Sequence, residues 1–271
     1  MPSLCSFTTD AISRTISCMA IKVFNPMSFS GESYRVSKRV NFEKLGSFKA
    51  KTVSSVIDFA FDMTFGSKGE HRHSRSGGTV SRDNLEIFTN TFQGKLSEFA
   101  VANVLYKHKD FIEPDLSTHG LGVWEDADFQ LDDNAIAVKS TKSYGNLILL
   151  ESKDWDLQGR YIASISEPRT YSHIVLVRIK PDAEKVLRKF RPNMKMDVAL
   201  GDLRSLLTGL DWEYDIPGYI TNTDLRSVIE NYLLIPKGAL LNNAVTMDAE
   251  NYYVQAGDLR PMSELSSEFM L

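Results

Sequence analysis

The chain has 271 residues, of which 42% are hydrophobic and 24% charged, and its formal net charge is −4. These values are typical of a soluble globular protein with one large domain, or a catalytic core with a smaller appendage. The two cysteines are too few for a disulfide framework or a zinc site. No segment approaches eighteen consecutive apolar residues, so we expect a cytoplasmic protein that does not cross a membrane. The mild acidity does not exclude a nucleic-acid partner, because a binding cleft can be basic while carboxylates elsewhere lower the total.

Residues 1–82 are predicted to form an N-terminal arm that contains one helix and one basic loop. The helix is expected over residues 52–65, where apolar residues recur at helical spacing. Residues 66–82 follow with four glycines and many basic groups, a composition typical of a flexible polar loop. We interpret this loop as a DNA contact, with a surface loop that binds nothing as the alternative. Its basic residues are Lys68, Arg72, Arg75 and Arg82.

Residues 83–271 are predicted to form the larger domain. Asp83 is expected to cap a helix that Gly94 can break in two. Strands are predicted over residues 123–131, 135–142, 147–151 and 173–179, and further helices over residues 182–191, 198–209 and 223–233. This order predicts an α/β architecture with a central mixed β-sheet flanked by helices, together with an N-terminal extension.

Residues 124–142 (WEDADFQLDDNAIAVKSTK) have the pattern of a β-hairpin. With Asp133 and Asn134 as a two-residue turn, the predicted register places Asp128 directly opposite Lys139. Alternation of side chains then produces one apolar face, which we expect to be buried. The residues of that face are Phe129, Leu131, Ile136 and Val138. The other face presents an acid beside a lysine.

An acid beside a lysine suits the hydrolysis of phosphodiesters. A carboxylate can hold a divalent metal that lowers the pKa of an attacking water, and a nearby lysine can orient that water. Hard oxygen ligands favour Mg²⁺ as the metal. The alternative is an ordinary cross-strand salt bridge, which stabilises a sheet by roughly 0.2–1 kcal/mol.

Three segments in succession resemble the core of the PD-(D/E)xK nucleases, and in particular several type II restriction endonucleases. They are GKLSEFAVANVL, DFQLDDNAIAVKST and SYGNLILLE, and the resemblance spans residues 94–180. It implies a restriction-endonuclease-like core in which Asp128 is a metal ligand, Lys139 is the catalytic lysine and Glu98 is a carboxylate supplied by a helix.

Ala137 departs from the family pattern, which has an acid two residues before the lysine. Three explanations remain open. Another carboxylate, such as Glu151 or Glu98, can have taken over as the metal ligand. The motif can instead be read three residues later, as Ser140-x-Lys142. Or the natural protein has an acid at position 137 that alanine replaces in this chain.

Other segments offer alternative or additional site residues. Pro114-Asp115 and Glu151-Ser152-Lys153 reproduce the letters of the family motif, and we consider both less suitable than the hairpin. Just beyond the predicted catalytic strand, three residues could contact an adjacent phosphate or form a polar turn. They are Lys142, Ser143 and Tyr144.

The resemblance implies a type II restriction endonuclease that cuts double-stranded DNA with Mg²⁺-activated water. An enzyme that cuts both strands of a palindrome usually forms a two-fold dimer, so a homodimer is expected. The chain has no GxxxxGK[ST] motif, and we expect no nucleotide cofactor. Two alternatives are a repair or phage-processing nuclease of the same fold and a non-catalytic DNA-binding protein on a degenerate nuclease core.

Overall fold

The computed structural model describes residues 22–66, 83–106, 113–116, 127–131, 133–163, 167–190 and 199–269. The helices in these ranges are α1 Ala50–Phe65, α2 Asn84–Leu105, α3 Ala183–Phe190, α4 Leu200–Thr208, α5 Asn222–Glu230 and α6 Met262–Glu268. The first seven strands are β1 Ser28–Ser30, β2 Ser33–Arg35, β3 Gly46–Ser47, β4 Phe129–Leu131, β5 Asn134–Lys142, β6 Leu147–Glu151 and β7 Arg160–Tyr161. The remaining strands are β8 Arg169–Thr170, β9 His173–Lys180, β10 Glu213–Thr221, β11 Leu234–Ile235, β12 Leu240–Leu241, β13 Val245–Thr246 and β14 Asn251–Gln255. The chain is therefore a mixed α/β protein, as predicted.

The central sheet has five strands in the order β3-β10-β9-β5-β4. Its only parallel pair in the described residues is β5 with β9, and the other neighbours are antiparallel. A second sheet, in the order β11-β14-β6, is antiparallel throughout. The predicted strand at residues 147–151 thus exists as β6, but it pairs with β14 about a hundred residues away in sequence rather than extending the β4–β5 hairpin.

Both faces of the central sheet are covered. Alternate residues of β9 belong to two hydrophobic clusters: Val175 and Val177 face the helices α1 to α4, whereas Ile174 and Leu176 face the second sheet and α5. This double burial explains why β9 is a nearly continuous apolar run instead of an alternating one. The central sheet is consequently the middle of three layers.

Helix α2 runs without interruption through Gly94, so the predicted break is wrong. Phe92 and Leu96 on either side of this glycine are fully buried in the same cluster. Their packing outweighs the intrinsic cost of about 1 kcal/mol for a glycine inside a helix. The predicted cap is confirmed, because the Asp83 side chain accepts a hydrogen bond of 2.7 Å from the Glu86 backbone N–H.

A buried ion pair joins strands β9 and β10 to the segment that precedes β3. The Arg178 guanidinium, fully buried on β9, donates hydrogen bonds to both carboxylate oxygens of Asp215 on β10. It also donates to the backbone carbonyls of Val40 and Asn41, each at 2.8 Å. Asp215 in turn accepts a hydrogen bond of 2.9 Å from the Glu43 backbone N–H.

Residues 22–47 lie against elements from the far end of the chain. Strand β2 pairs in parallel with β12, and the Asn25 side chain donates a hydrogen bond of 2.7 Å to Asp258. The Lys22 ammonium reaches the carbonyl of Leu259 at 2.7 Å, across 237 positions of sequence. The side chain of Gln255 accepts hydrogen bonds from the backbone N–H groups of residues 37 and 38.

Candidate active site

The β4–β5 hairpin has the predicted faces but not the predicted register. Phe129 pairs with Ile136, so the chain reverses one residue earlier than expected. Continuing this register places Ala137, rather than Lys139, opposite Asp128. The predicted direct pairing of Asp128 with Lys139 is therefore wrong. A shift of two residues in pairing leaves every side chain on its own face, so the burial pattern that supported the predicted register cannot detect it.

Asp128 lies at the position where the edge strand β4 begins. Its Oδ2 atom accepts a hydrogen bond of 2.6 Å from the backbone N–H of Val138. Residues two apart in a strand direct their N–H groups to the same side. The N–H of Val138 therefore points to the same side of β5 as that of Ile136, which is the side on which β4 lies. The carboxylate satisfies a backbone donor that would otherwise lack a neighbouring strand.

The surroundings of Asp128 act on its charge in opposite directions. Burial raises the pKa of its carboxyl group above the ordinary value, although the hydrogen bond from Val138 and the positive charges of Lys139 and Lys95 act to lower it. Lys139 belongs to β5 and Lys95 to helix α2, so cations from two elements act on one carboxylate. A further cation there would favour the ionised form.

Helix α2 carries the predicted carboxylate Glu98, and the charge of its partner Lys95 acts on Asp128. Lys95 and Glu98 form a buried salt bridge of 2.7 Å, and the Lys95 ammonium lies 5.0 Å from the centre of the Phe59 ring. Because α2 packs against β5, Lys95 connects Glu98 to the electrostatic environment of Asp128. Sequence reasoning did not name Lys95, although its position three residues before Glu98 is typical of helical ion pairs.

Ala137 is only 4% exposed. It pairs in register with Ile174 of β9 and belongs to the hydrophobic cluster between the central sheet and the second sheet. The expectation that this face of the hairpin is polar is wrong at Ala137, because the second layer covers it. The same face becomes accessible further along β5, where Lys139 is half-buried.

Glu151 lies in a different sheet from the hairpin. It ends β6 opposite Asn251 of β14, and its Oε2 atom is 3.8 Å from the Lys153 ammonium. The Glu-Ser-Lys sequence therefore continues from β6 into a short 3-10 helix, not along one strand. Pro114 and Asp115 lie in a segment without strand structure, as expected.

The three residues that were predicted to contact an adjacent phosphate begin at the end of β5, where Lys142 lies four positions, or about 13 Å, beyond Val138. There the Lys142 ammonium contacts Glu184 at 3.0 Å and Asp182 at 3.2 Å. Although burial lowers the pKa of Lys142, these two carboxylates raise it above its ordinary value. Ser143 and Tyr144 form the turn that follows, and the Tyr144 hydroxyl contacts Asp182 at 3.3 Å. Their role in DNA binding stays a prediction.

The basic loop lies outside the described residues. Its predicted DNA contacts, Lys68, Arg72, Arg75 and Arg82, remain expectations from the sequence alone. Among the residues that the structure does describe, no three side chains of the His, Cys, Asp or Glu type gather closely enough to hold a metal ion by themselves. The helices within the same ranges include none with the length and hydropathy needed to cross a membrane.

Comparisons of this chain with protein-family models, curated proteins and solved structures gave no significant match.

Proposed function

We propose that this protein is a Mg²⁺-dependent nuclease with a restriction-endonuclease-like core, and that it hydrolyses phosphodiester bonds of double-stranded DNA. One observation supports this proposal above the others. Helix α2 and the β4–β5 hairpin bring Lys95, with its partner Glu98, and Lys139 into the electrostatic environment of Asp128 at one edge of a mixed sheet. The proposed chemistry needs these residue types. They lie on a helix and a hairpin, the same kinds of element that hold them in the family motif.

The donor set fits Mg²⁺ in its chemistry. This ion prefers hard oxygen ligands, needs only one or two protein carboxylates and retains several waters. Asp128 and Glu98 would supply the two carboxylates. Each uses one oxygen in a hydrogen bond, to Val138 N–H and to Lys95 respectively, and a carboxylate can accept more than one partner. When bound, the metal would stabilise negative charge on the phosphate and acidify a water.

The other residues would act on the water and the phosphate. The Lys139 ammonium would orient the attacking water and offset the charge that develops on the phosphate oxygens. Lys95 would hold Glu98 in place from within its own helix. The half-buried position of Lys139 leaves its charge less screened than that of an ammonium in open solvent.

A plasmid assay tests the proposal. The parent protein should nick or linearise supercoiled DNA with Mg²⁺ and not with EDTA, slowly because Ala137 provides no carboxylate. Asp128→Asn retains an oxygen that can accept the Val138 N–H but loses the charge, and should abolish cleavage without unfolding the protein. Lys139→Gln should slow cleavage by about 10²–10⁴-fold.

Two variants serve as matched controls. Asp133→Asn removes an exposed acid in the same hairpin, and Lys153→Gln removes an exposed lysine beside Glu151. Both should cut at the parental rate. Full activity in Asp128→Asn or in Lys139→Gln would contradict this assignment of the site.

The second candidate is a non-catalytic DNA-binding protein on the same fold. Two observations favour it. The Asp128 carboxylate has a structural role, because it accepts the Val138 N–H at the edge of the sheet. The methyl group of Ala137 lies in an apolar cluster and offers no ligand for a metal. Binding of duplex DNA without cleavage at any Mg²⁺ concentration would support this candidate. A two-fold homodimer is proposed for the nuclease, and sedimentation of the protein alone and with duplex DNA would test it.

A further inference from the structure

Three exposed cations lie close together at the end of β2 and in the residues that follow it. Arg35, Lys38 and Arg39 fall within five positions of the chain, and each of the three residues is exposed. Within the part of the chain that the structure describes, none of them forms a salt bridge with a carboxylate. The next cation differs, because Lys44 forms a salt bridge of 2.9 Å with a glutamate of β10. A protein of net charge −4 thus presents a basic segment, residues 35–39, whose charges the described carboxylates do not neutralise.

Groups from distant parts of the chain hold the backbone of the basic segment. The buried side chain of Gln255 accepts hydrogen bonds from the N–H groups of residues 37 and 38, at 2.7 and 3.0 Å. The Asn242 side chain accepts one from the Val36 N–H at 3.2 Å, and the Gly257 N–H donates to the carbonyl of residue 38 at 3.1 Å. Because these bonds fix the segment before a ligand arrives, less conformational entropy is lost when it binds one.

One of these amides also orients a cation. The Asn242 side-chain oxygen accepts a hydrogen bond of 3.2 Å from the Arg39 guanidinium, which also donates from its Nε atom to the carbonyl of Val36 at 3.4 Å. Both acceptors are neutral, so they direct the guanidinium without cancelling its charge. A guanidinium has five N–H donors, and these two contacts leave others for the oxygens of a ligand.

Hydrogen bonds join the basic segment to the end of the proposed catalytic strand. Val40, the residue that follows the segment, donates from its N–H to the side chain of Asn146 at 2.7 Å. The Arg178 guanidinium binds the carbonyls of both Val40 and Gly145, at 2.8 and 3.4 Å. Gly145 and Asn146 lie between β5 and β6, directly after the three residues that the sequence predicts to contact a phosphate. The basic segment therefore leads to the end of β5, about 10 Å beyond Lys139.

We propose that the basic segment binds backbone phosphates of duplex DNA outside the site that would cleave it. Contacts of arginine and lysine with phosphates hold a protein on the duplex without reading its sequence. A segment of five residues spans at most about 14 Å, which is about four nucleotide steps along one DNA strand. Its three cations can therefore reach successive phosphates. The inference rests on the proposed function for its ligand, and it adds a contact surface that neither the family motif nor the basic loop contains.

The test uses the full protein and a fluorescent DNA duplex, with Ca²⁺ in place of Mg²⁺ so that binding is measured without cleavage. A triple variant with Arg35→Gln, Lys38→Gln and Arg39→Gln should weaken binding. The slope of log affinity against log salt should fall by about 0.9 for each lost phosphate contact, or about 2.7 in total. The matched control changes the net charge equally and should keep a slope close to the parental one. It removes exposed cations from helices α1, α4 and α5, namely Lys51→Gln, Arg204→Gln and Arg226→Gln.

Asn242→Asp provides an independent measurement in which every cation is kept. Aspartate retains an oxygen that can accept the Val36 N–H and, like asparagine, tolerates the left-handed backbone of this position, where φ is +52°. It adds a carboxylate beside the Arg39 guanidinium, so the salt slope should fall by about 0.9. Arg39→Lys should instead keep the slope and lose affinity, because an ammonium has the charge without the planar array of donors.

Three outcomes would overturn the inference. They are a parental slope in the triple variant, an equal fall in the triple variant and its control, and an unchanged slope in Asn242→Asp. If the parent cuts plasmid DNA in any of these cases, the proposed nuclease function survives. If the parent binds no duplex DNA at all, the proposed function fails and this inference fails with it.

Discussion

At position 137 the continued register of the hairpin places a methyl group opposite Asp128. The surroundings of Ala137 are apolar, with Ile174 beside it in register on β9. A carboxylate there would be desolvated and close to a second negative charge, and both effects oppose ionisation. A divalent cation bound to both carboxylates would reverse this penalty. Position 137 thus reports directly on whether the site holds a metal.

We predict that Ala137→Glu destabilises the protein in EDTA and regains stability with Mg²⁺. Ligand binding to the folded state contributes about 2.7 kcal/mol when the free ion is at a hundred times its dissociation constant. Thermal melting with and without Mg²⁺ measures this effect, and plasmid cleavage should rise above the parental rate. Ala137→Gln, of nearly the same size but uncharged, is the control. Equal Mg²⁺ shifts in the two variants would mean that no metal bridges positions 128 and 137.

Between elements, the buried pair of Arg178 and Asp215 is a connection with several hydrogen bonds. It joins the antiparallel neighbours β9 and β10 and also fixes residues 40–43 through backbone hydrogen bonds. These hydrogen bonds supply acceptors to the N–H groups of Arg178, which has no exposure to water. Removing one partner would leave the other charge buried without compensation.

Asp215→Ala is predicted to lower the free energy of unfolding by about 3–5 kcal/mol, the cost of breaking a buried ion pair. Glu213→Gln serves as its control. Glu213 lies on the same strand but forms exposed salt bridges with Lys44 and Lys180, so its loss should change stability little. Urea denaturation of both variants gives the comparison, and similar losses in the two would show that the buried pair has no special contribution.

The sequence was sufficient to predict elements in which local periodicity and burial agree. Strands β5 and β9, helices α1 to α5 and the two faces of the β4–β5 hairpin were anticipated for this reason, whereas helix α6 was not. The register was not recoverable, because a shift of two residues preserves those faces. Strand β10 was missed because Pro217 and Gly218 interrupt it, and both residues normally argue against a central strand.

The pairing of β10 with its neighbour accommodates Pro217 and Gly218 through a register shift that the local sequence does not predict. The pairing of β10 with β9 shifts between Asp215 and Gly218. Gly218 has φ of +149°, and a Cβ there would collide with the backbone carbonyl of Arg260. The requirement for glycine at this position thus follows in part from contact with Arg260, which is distant in sequence. The pairing of β6 with β14 was unpredictable for the same reason, since it depends on contacts far apart in sequence.

On the scale of the whole molecule, stability should depend on pH near neutrality through His173. This residue is 3% exposed and packs against the rings of Tyr219 and Phe269. Burial lowers its pKa below the ordinary value of 6.5, although the carboxylates of Glu268 and Asp224 oppose the shift and Arg260 adds to it. The folded protein thus favours the neutral imidazole.

The sign of the effect follows from this shift. Above pH 6.5 the histidine is neutral in both the folded and the unfolded chain, so its contribution to stability is complete. As the pH falls below that value, the unfolded chain takes up a proton more readily and stability is lost. We expect the melting temperature to decrease as the pH falls from about 6.5 to about 5, and His173→Gln to reduce that decrease. An equally steep decrease in the variant would assign the dependence to other groups.

The contacts of residues 22–47 also govern the order in which the protein can be built. During synthesis these residues emerge before the other described residues, yet their partners are β10, β12 and the residues from Gln255 to Leu259. Long separations between contacting residues slow folding, because the entropy of closing the loop must be lost before the contact forms. Strands β1 to β3 are synthesised before the other described strands, and we therefore expect them to join the fold late. Until residue 259 has been made, the core that holds the apolar side chains at positions 24, 27 and 36 is incomplete, and the nascent chain leaves these side chains less protected from water.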